Sequence, residues 1–503
     1  MTNIRPRFNR TSLPQIALTL CLSLTLAHPA LAQGRPNPPP PAPQAPPANP
    51  QAPAASPLAS NLPPNSFEAD TDFTDPFGQT GTVLLNGRIN TATNSFFQNL
   101  GTNGRTCFTC HQPQSGWSVT PADLTKRFND TAGADPIFRP NDGATCPNAD
   151  TSTRAAKLAA YSLLLDKGLI RVAETLPNAG LEYRITVSSD PYQCTTNPNF
   201  GLTSPTTGDV SVYRRILPAS NLPFRASIMW DGRYPTLAAQ ASDATLDHAQ
   251  ATKVPNDSQI LSIVTFENAI FSAQSVDATA GALNILGASG GPLALAQVPF
   301  HLGINDSLGR DPAKTAFNRN VFSIYAAWDR AALVPGAAEA RRNSIGRGET
   351  LFNTRTFTIT DVPGLTATSP NNQIRGTCST CHDTPNVGSR SLPDFLNIGV
   401  AAANPNGLSA SDLPLFNLTC TSGPQIGRTV TVTDPGRALV TGKCADIGGF
   451  SVPTLRGVAA RAPYFHNGIA NNLGAVVGFY DRRFRIGLSP NDRADLVAFL
   501  EAL

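Results

Sequence analysis

Two short stretches constrain this chain more than any other: Cys107-Phe108-Thr109-Cys110-His111 and Cys378-Ser379-Thr380-Cys381-His382. Each reads C-x-x-C-H, and the spacing has a chemical reason. Two thiols so placed can add to the two vinyl groups of one porphyrin. The histidine that follows can swing under the ring and bind iron from the proximal side. Each stretch is therefore read as the attachment site of one covalent haem c. Cys107, Cys110 and His111 hold the first group, and Cys378, Cys381 and His382 the second. A lone C-x-x-C-H is also half of a zinc site or a redox dithiol. A matched second copy, behind an export signal, favours haem over both.

The export signal is Met1 to Ala32. Arg5, Arg7 and Arg10 make a positive start, Ile16 to Leu26 an apolar run, and Ala30-Leu31-Ala32 a small-residue cleavage site. The apolar run is shorter than a bilayer span, and no later stretch is long and apolar enough to be one. The expected setting is therefore periplasmic or secreted, with no transmembrane segment after signal cleavage. That setting also accounts for the cysteines, nine in all. Beyond Cys21 and the four in the haem stretches, Cys146, Cys194, Cys420 and Cys444 are left, and an oxidising compartment favours disulfides Cys146–Cys194 and Cys420–Cys444. A net charge of +3 is too small to argue for nucleic acid.

Four regions follow from composition and pattern: a signal peptide (1–32), a Pro-rich disordered linker (33–72), an N-terminal haem domain (73–335) and a C-terminal haem domain (336–503). The stretch 112–225 is a loop-rich insertion with one apolar helical stripe over Thr153 to Asp166. Asn256 to Ala273 reads as a helix capped by Asn256-Asp257-Ser258, and Ser323 to Leu333 as a further helical run. Ala337 to Phe352 reads as a helix. Cys420 and Cys444 bracket a hairpin-like segment. The closing helix starts at Ser489, with Pro490 at its first position and Asp492 completing a capping box.

Three blocks carry a family resemblance. Met229-Trp230-Asp231-Gly232-Arg233 follows the first haem stretch at a distance, with Leu237-Ala238-Ala239-Gln240-Ala241 after it. Gly346-Arg347-Gly348-Glu349 and Leu351-Phe352 precede the second. Pro453-Thr454-Leu455-Arg456-Gly457 runs on into Ala462-Pro463-Tyr464-Phe465-His466-Asn467-Gly468 and Val476-Val477-Gly478-Phe479-Tyr480. The chain thereby resembles the bacterial dihaem cytochrome c peroxidase and MauG superfamily. The resemblance implies a mainly α fold: two cytochrome c-like helical domains, each with one covalent haem c, plus loop-rich insertions.

The resemblance also assigns roles. The His111 haem would be the peroxide-reactive one. The glutamate expected on its distal side is absent, and counting along the same helix leaves Gln250, His248 and Gln240. His248 would shuttle protons or ligate the iron. Trp230 matches the tryptophan between the two haems. The methionine expected on the second haem is also absent. Its position is Tyr480, as in MauG-type enzymes, and His466 is the rival ligand. Arg461 and Pro463 match residues whose carbonyls bind calcium, but Arg214 and Arg215 fall where a side-chain amide is expected, so calcium stays open.

The implied function is peroxidase-like: hydrogen peroxide reduced at the N-terminal haem, with electrons passed through the C-terminal haem from a small redox protein, a cytochrome c or cupredoxin. Two alternatives stand beside it. One is MauG-like or rubber-oxygenase-like oxidation of an organic or protein substrate. The other is a non-enzymatic dihaem electron carrier.

Overall fold

The computed structural model describes residues 66–194, 202–204, 208–329 and 335–503. All lie in the unit Ala55–Leu503. The signal peptide, and the linker as far as residue 65, lie outside the described residues. Within the stretch read as linker, a short strand, Ser66–Phe67, is already formed and the strand Asp70–Asp75 begins.

The expectation of a mainly helical chain is corrected, because strands recur between the helices. Gly78–Leu84 lies between Asp70–Asp75 and Ile270–Asp277 in an antiparallel sheet. Leu169–Thr175 pairs with Asp209–Arg215. Tyr183–Ser189 pairs with Leu415–Cys420, which in turn pairs with Thr429–Val432. The reason is local chemistry joined to distant partners. Tyr183-Arg184-Ile185-Thr186-Val187 and Thr429-Val430-Thr431-Val432 alternate β-branched or aromatic residues with polar ones. Ile270, read as the continuation of a helix, instead opens a strand. The helix Asp257–Ala269 stops there, and Ile270 and Phe271 are buried.

Other expected elements are present. Asn256 and Gln259 form a full capping box. The stripe over Thr153 to Asp166 becomes the helices Arg154–Ala160 and Ser162–Lys167, broken at Tyr161. The Ser323–Leu333 run is corrected to one short 3-10 turn, Ala326–Trp328; residues 330–334 lie outside the described residues. Tyr325 and Trp328 are buried there, their rings stacked 5.0 Å apart, and the Glu349 carboxylate accepts the Tyr325 N–H. The helix Ala337–Thr354 packs along the closing helix Pro490–Glu501, which carries the Ser489/Asp492 capping box. Both disulfides, Cys146–Cys194 and Cys420–Cys444, are formed. The second pins the hairpin of Leu415–Cys420 and Thr429–Val432.

Two hydrophobic cores stand out. Phe67, Phe96, Phe97, Phe108, Trp117 and Phe266 form an aromatic nest behind the first C-x-x-C-H. A second core joins Tyr183 and Val212 of the insertion to Phe416, Phe450 and Phe479 of the C-terminal half. No helix among the described residues is long and apolar enough to cross a membrane.

Candidate functional site

The first C-x-x-C-H is a single helical turn, Cys107–Cys110. The Thr106 hydroxyl accepts from the Thr109 N–H, and the Thr109 hydroxyl accepts from the Thr106 N–H. His111 follows as the cap. Its ring Nδ1 lies 3.0 Å from the Trp117 carbonyl. A carbonyl accepts only, so Nδ1 carries the proton and Nε2 keeps its lone pair. Burial brings His111 down to about 4, which keeps the imidazole neutral, the form that binds a metal.

Cys107, Cys110 and His111 open onto a cavity of about 290 Å³. One wall is the helix Leu237–Asp247. Leu237, Gln240, Ala241, Ala244, Thr245 and His248 face the cavity at the three- and four-residue spacing of one helix side. Gln240 and His248 are thus brought to the cavity. Gln250 is not. The helix ends at Asp247 with His248 as its cap, and Gln250 turns outward with a left-handed backbone, its side chain accepting from Asn103.

Three residues that sequence reasoning missed complete this cavity. Asp142, from the insertion, lies 2.7 Å from His248 Nδ1 and accepts from the Arg105 guanidinium at 2.7 Å. Burial raises the Asp142 carboxyl, but Arg105 and His248 outweigh burial and hold it below the usual range. Glu267, on the helix Asp257–Ala269, also lines the cavity. Its Oε2 is buried without a hydrogen-bond partner among the described residues, and burial raises its carboxyl to about 8. No periodicity or motif marks Asp142 or Glu267. Arg105 stands two residues before Cys107, and that adjacency was the one available signal.

The second C-x-x-C-H repeats the first in outline. Thr377 and Thr380 form the same reciprocal cap. His382 Nδ1 lies 2.7 Å from the Gly388 carbonyl, and burial brings the ring to about 4. Cys378, Cys381 and His382 open onto a cavity of about 240 Å³ with a mostly apolar lining. Leu473, Val476, Val477, Tyr480 and Phe484 present one side of the helix Leu473–Phe484 to it. Burial, and after it the neighbouring Cys381 and Cys378, raises the Tyr480 phenol above its usual value. His466 lines the same cavity, stacked on Phe450 at 3.7 Å between ring centres. Both of its ring nitrogens are buried without a hydrogen-bond partner among the described residues, and burial lowers the ring to about 3.

The two cavities share a wall. Arg215, Ile216, Leu217, Pro218 and Trp230 line both. The Trp230 indole N–H donates to the Arg215 carbonyl at 2.8 Å. Asp231 stays fixed behind it between Arg214 and Arg233. Trp117 and Trp328 are both buried. His301 is half exposed and faces Asp311 at 3.1 Å.

Free thiols beside a neutral imidazole in an apolar cavity suit a covalent haem c in each case. The basic residues fit as well. Arg215, Arg225 and Arg461 line the cavities and are lowered by burial to about 9, 10 and 10. Among the described residues their hydrogen bonds go to carbonyls and one hydroxyl, not to carboxylates. Buried cations of this kind call for an anion, and porphyrin propionates supply one. Calcium fits less well. The Arg461 carbonyl, expected to face it, accepts from the Arg215 guanidinium at 3.0 Å.

No family model matches the chain. Individual relatives do. The chain is 33% identical over 144 residues to the cytochrome-c peroxidase IdrP2 of Denitromonas iodatirespirans, a match covering 26% of this chain and 36% of that protein. Over 81 residues it is 40% identical to the cytochrome-c peroxidase IdrP1 of Pseudomonas sp. (strain SCT), covering 14% of this chain and 21% of that one. The IdrP1 of Denitromonas iodatirespirans is 31% identical over 143 residues, covering 25% and 36%. These matches thus span about a third or less of each relative's length. A MauG-like protein associated with microbial copper homeostasis, known from a crystal structure, overlays with a TM-score of 0.30 at 14% identity, covering 60% of this chain and 76% of that one. A pair of cavities, each entered by a C-x-x-C-H turn, suits the class of dihaem c-type proteins. Over the matched stretches the chain is homologous to bacterial cytochrome-c peroxidases, a likeness at the superfamily level.

Proposed function

We propose that this chain is a periplasmic or secreted dihaem oxidoreductase of the peroxidase type, reducing hydrogen peroxide with electrons from a small redox protein such as a cytochrome c or cupredoxin. The observation that carries the reading is the shared wall. Two cavities, each with its own Cys-Cys-His set, meet at Trp230. In this reading 73–335 and 336–503 each hold one group.

When bound, haem c supplies an iron at which peroxide takes up two electrons and two protons to give two waters. The chain's own residues do the rest. Cys107, Cys110, Cys378 and Cys381 bind the porphyrins through thioethers, and His111 and His382 offer Nε2 to the metal. Arg225 and Arg461 would neutralise propionates. His248 Nε2 gives and takes protons while Asp142 holds Nδ1 and Arg105 holds Asp142. Gln240 positions peroxide from the same helix face. Trp230 offers an aromatic path through the wall. Tyr480 is the proposed second ligand of the C-terminal group, with His466 as its rival.

A second reading draws on Tyr480. A hard phenolate lowers a potential and favours oxidation of an organic or protein substrate, as MauG-like enzymes carry out. One series of measurements separates the readings: haem content, then the spin state and ligation of each haem in the resting and half-reduced protein, then addition of peroxide. Peroxidase action requires two covalent haems and a high-spin component at rest or on half-reduction. A low-spin spectrum throughout, unmoved by peroxide, leaves an electron carrier. Tyr480→Phe changes the low-spin signal if Tyr480 is a ligand; an unchanged signal transfers the role to His466.

A further inference from the structure

The geometry points to Arg215 as a built-in cation: its guanidinium holds, as part of the chain, the carbonyl-lined place between the two cavities that the family resemblance would give to calcium. Three main-chain carbonyls from three separate segments converge on this side chain. Lys167 O accepts from Nη1 at 2.9 Å, Val119 O from Nη2 at 2.8 Å and Arg461 O from Nη2 at 3.0 Å. These are N–H···O distances. Calcium holds its oxygens at roughly 2.3–2.6 Å and asks for about six to eight of them. Among the described residues no group of three or more His, Cys, Asp or Glu could add to the carbonyls.

Space is arranged for the guanidinium. Gly168 has φ +61°, and a Cβ there would fall 2.0 Å from Arg215 Nη1. The main chain of Arg215 then links the same point to both sides of the wall. Its N–H donates to the His466 carbonyl at 2.6 Å, and its carbonyl accepts the Trp230 indole N–H at 2.8 Å. One residue therefore ties the segments around Val119, Lys167 and Arg461 to the backbone of His466 and to Trp230. A covalent cation cannot be removed by chelation. Arg215 is accordingly a positioning residue for the wall, acting through Trp230 and His466.

The test uses the purified full-length protein with its haems. After equilibration with calcium and dialysis, elemental analysis is expected to find no stoichiometric calcium. Excess EGTA leaves the melting temperature and the low-spin electron paramagnetic resonance signal unchanged. Arg215→Ala, with its haem content verified, lowers the melting temperature by roughly 5 °C or more and shifts that signal. Arg215→Lys keeps the charge but loses the planar fork, and falls between the two. If Arg215→Ala does not fold, the wild-type calcium measurement and Arg215→Lys carry the test. The inference is overturned by one calcium per wild-type chain whose removal lowers the melting temperature, or by an Arg215→Ala protein that melts and resonates like wild type. It rests on the wall and not on the peroxidase reading. A protein inert to peroxide still gives the same calcium result.

Discussion

His248 takes its chemical meaning from a partner far away in sequence. Asp142 belongs to a loop of the insertion, yet it holds His248 Nδ1 and shares its charge with Arg105. Replacing Asp142 by Asn removes the charge and leaves a buried guanidinium uncompensated. Loss of one partner of a buried pair costs about 3–5 kcal/mol, which denaturant unfolding will register. In the folded fraction, turnover of peroxide is expected to fall roughly 100-fold if His248 moves protons, at unchanged haem content. Glu267 gives a prediction with a pH sign. Its carboxyl is raised by burial to about 8, so the fold favours the protonated acid. That stability is fully present below the ordinary glutamate range and is lost as pH rises through 8. Wild type should therefore lose stability between pH 6 and 9 relative to Glu267→Gln, by on the order of a few kcal/mol. Parallel melting curves of the two proteins across that range would rule out a buried, protonated Glu267. The two C-x-x-C-H turns were legible because their signal is a fixed local spacing. Asp142 and Glu267 were not, since a carboxylate becomes informative only when folding buries it.

At the level of elements, the block Gly346-Arg347-Gly348-Glu349 shows how a motif can be visible while its reason is not. Both glycines lie inside the helix Ala337–Thr354. A Cβ at Gly348 would fall 2.0 Å from the Asp495 carbonyl of the closing helix, and one at Gly346 would fall 2.4 Å from the Asp329 N. The helices approach so closely that only glycine fits. Gly348→Ala should push them apart and cost about 1–3 kcal/mol, despite alanine's better helix propensity. A melting temperature equal to or above wild type would show that the interface yields freely. Helices with caps, such as Asp257–Ala269 and Pro490–Glu501, could be read from sequence because their signals are local. Strands such as Tyr183–Ser189 could not, because the partner strand, Leu415–Cys420, stands more than two hundred residues away.

That pairing sets the behaviour of the whole chain. A strand from the N-terminal half completes a sheet in the C-terminal half, and Lys167 reaches Asp412 at 2.8 Å across the same divide. Residues 73–335 and 336–503 expressed as separate chains are therefore expected to lack stable folds, each leaving apolar strand faces uncovered. Far-ultraviolet circular dichroism and denaturant titration of the two pieces would check this. Two independent cooperative transitions would mean that each half is self-sufficient.

The stretch between the first C-x-x-C-H and Trp230 looks in the sequence like a loop-rich insertion. In the fold it supplies the strand Asp209–Arg215, whose end becomes the partition between two chambers. Tolerance to shortening should accordingly be uneven along it. Outer loops can be trimmed, whereas removal of that strand would merge the chambers and leave Trp230 without its anchor.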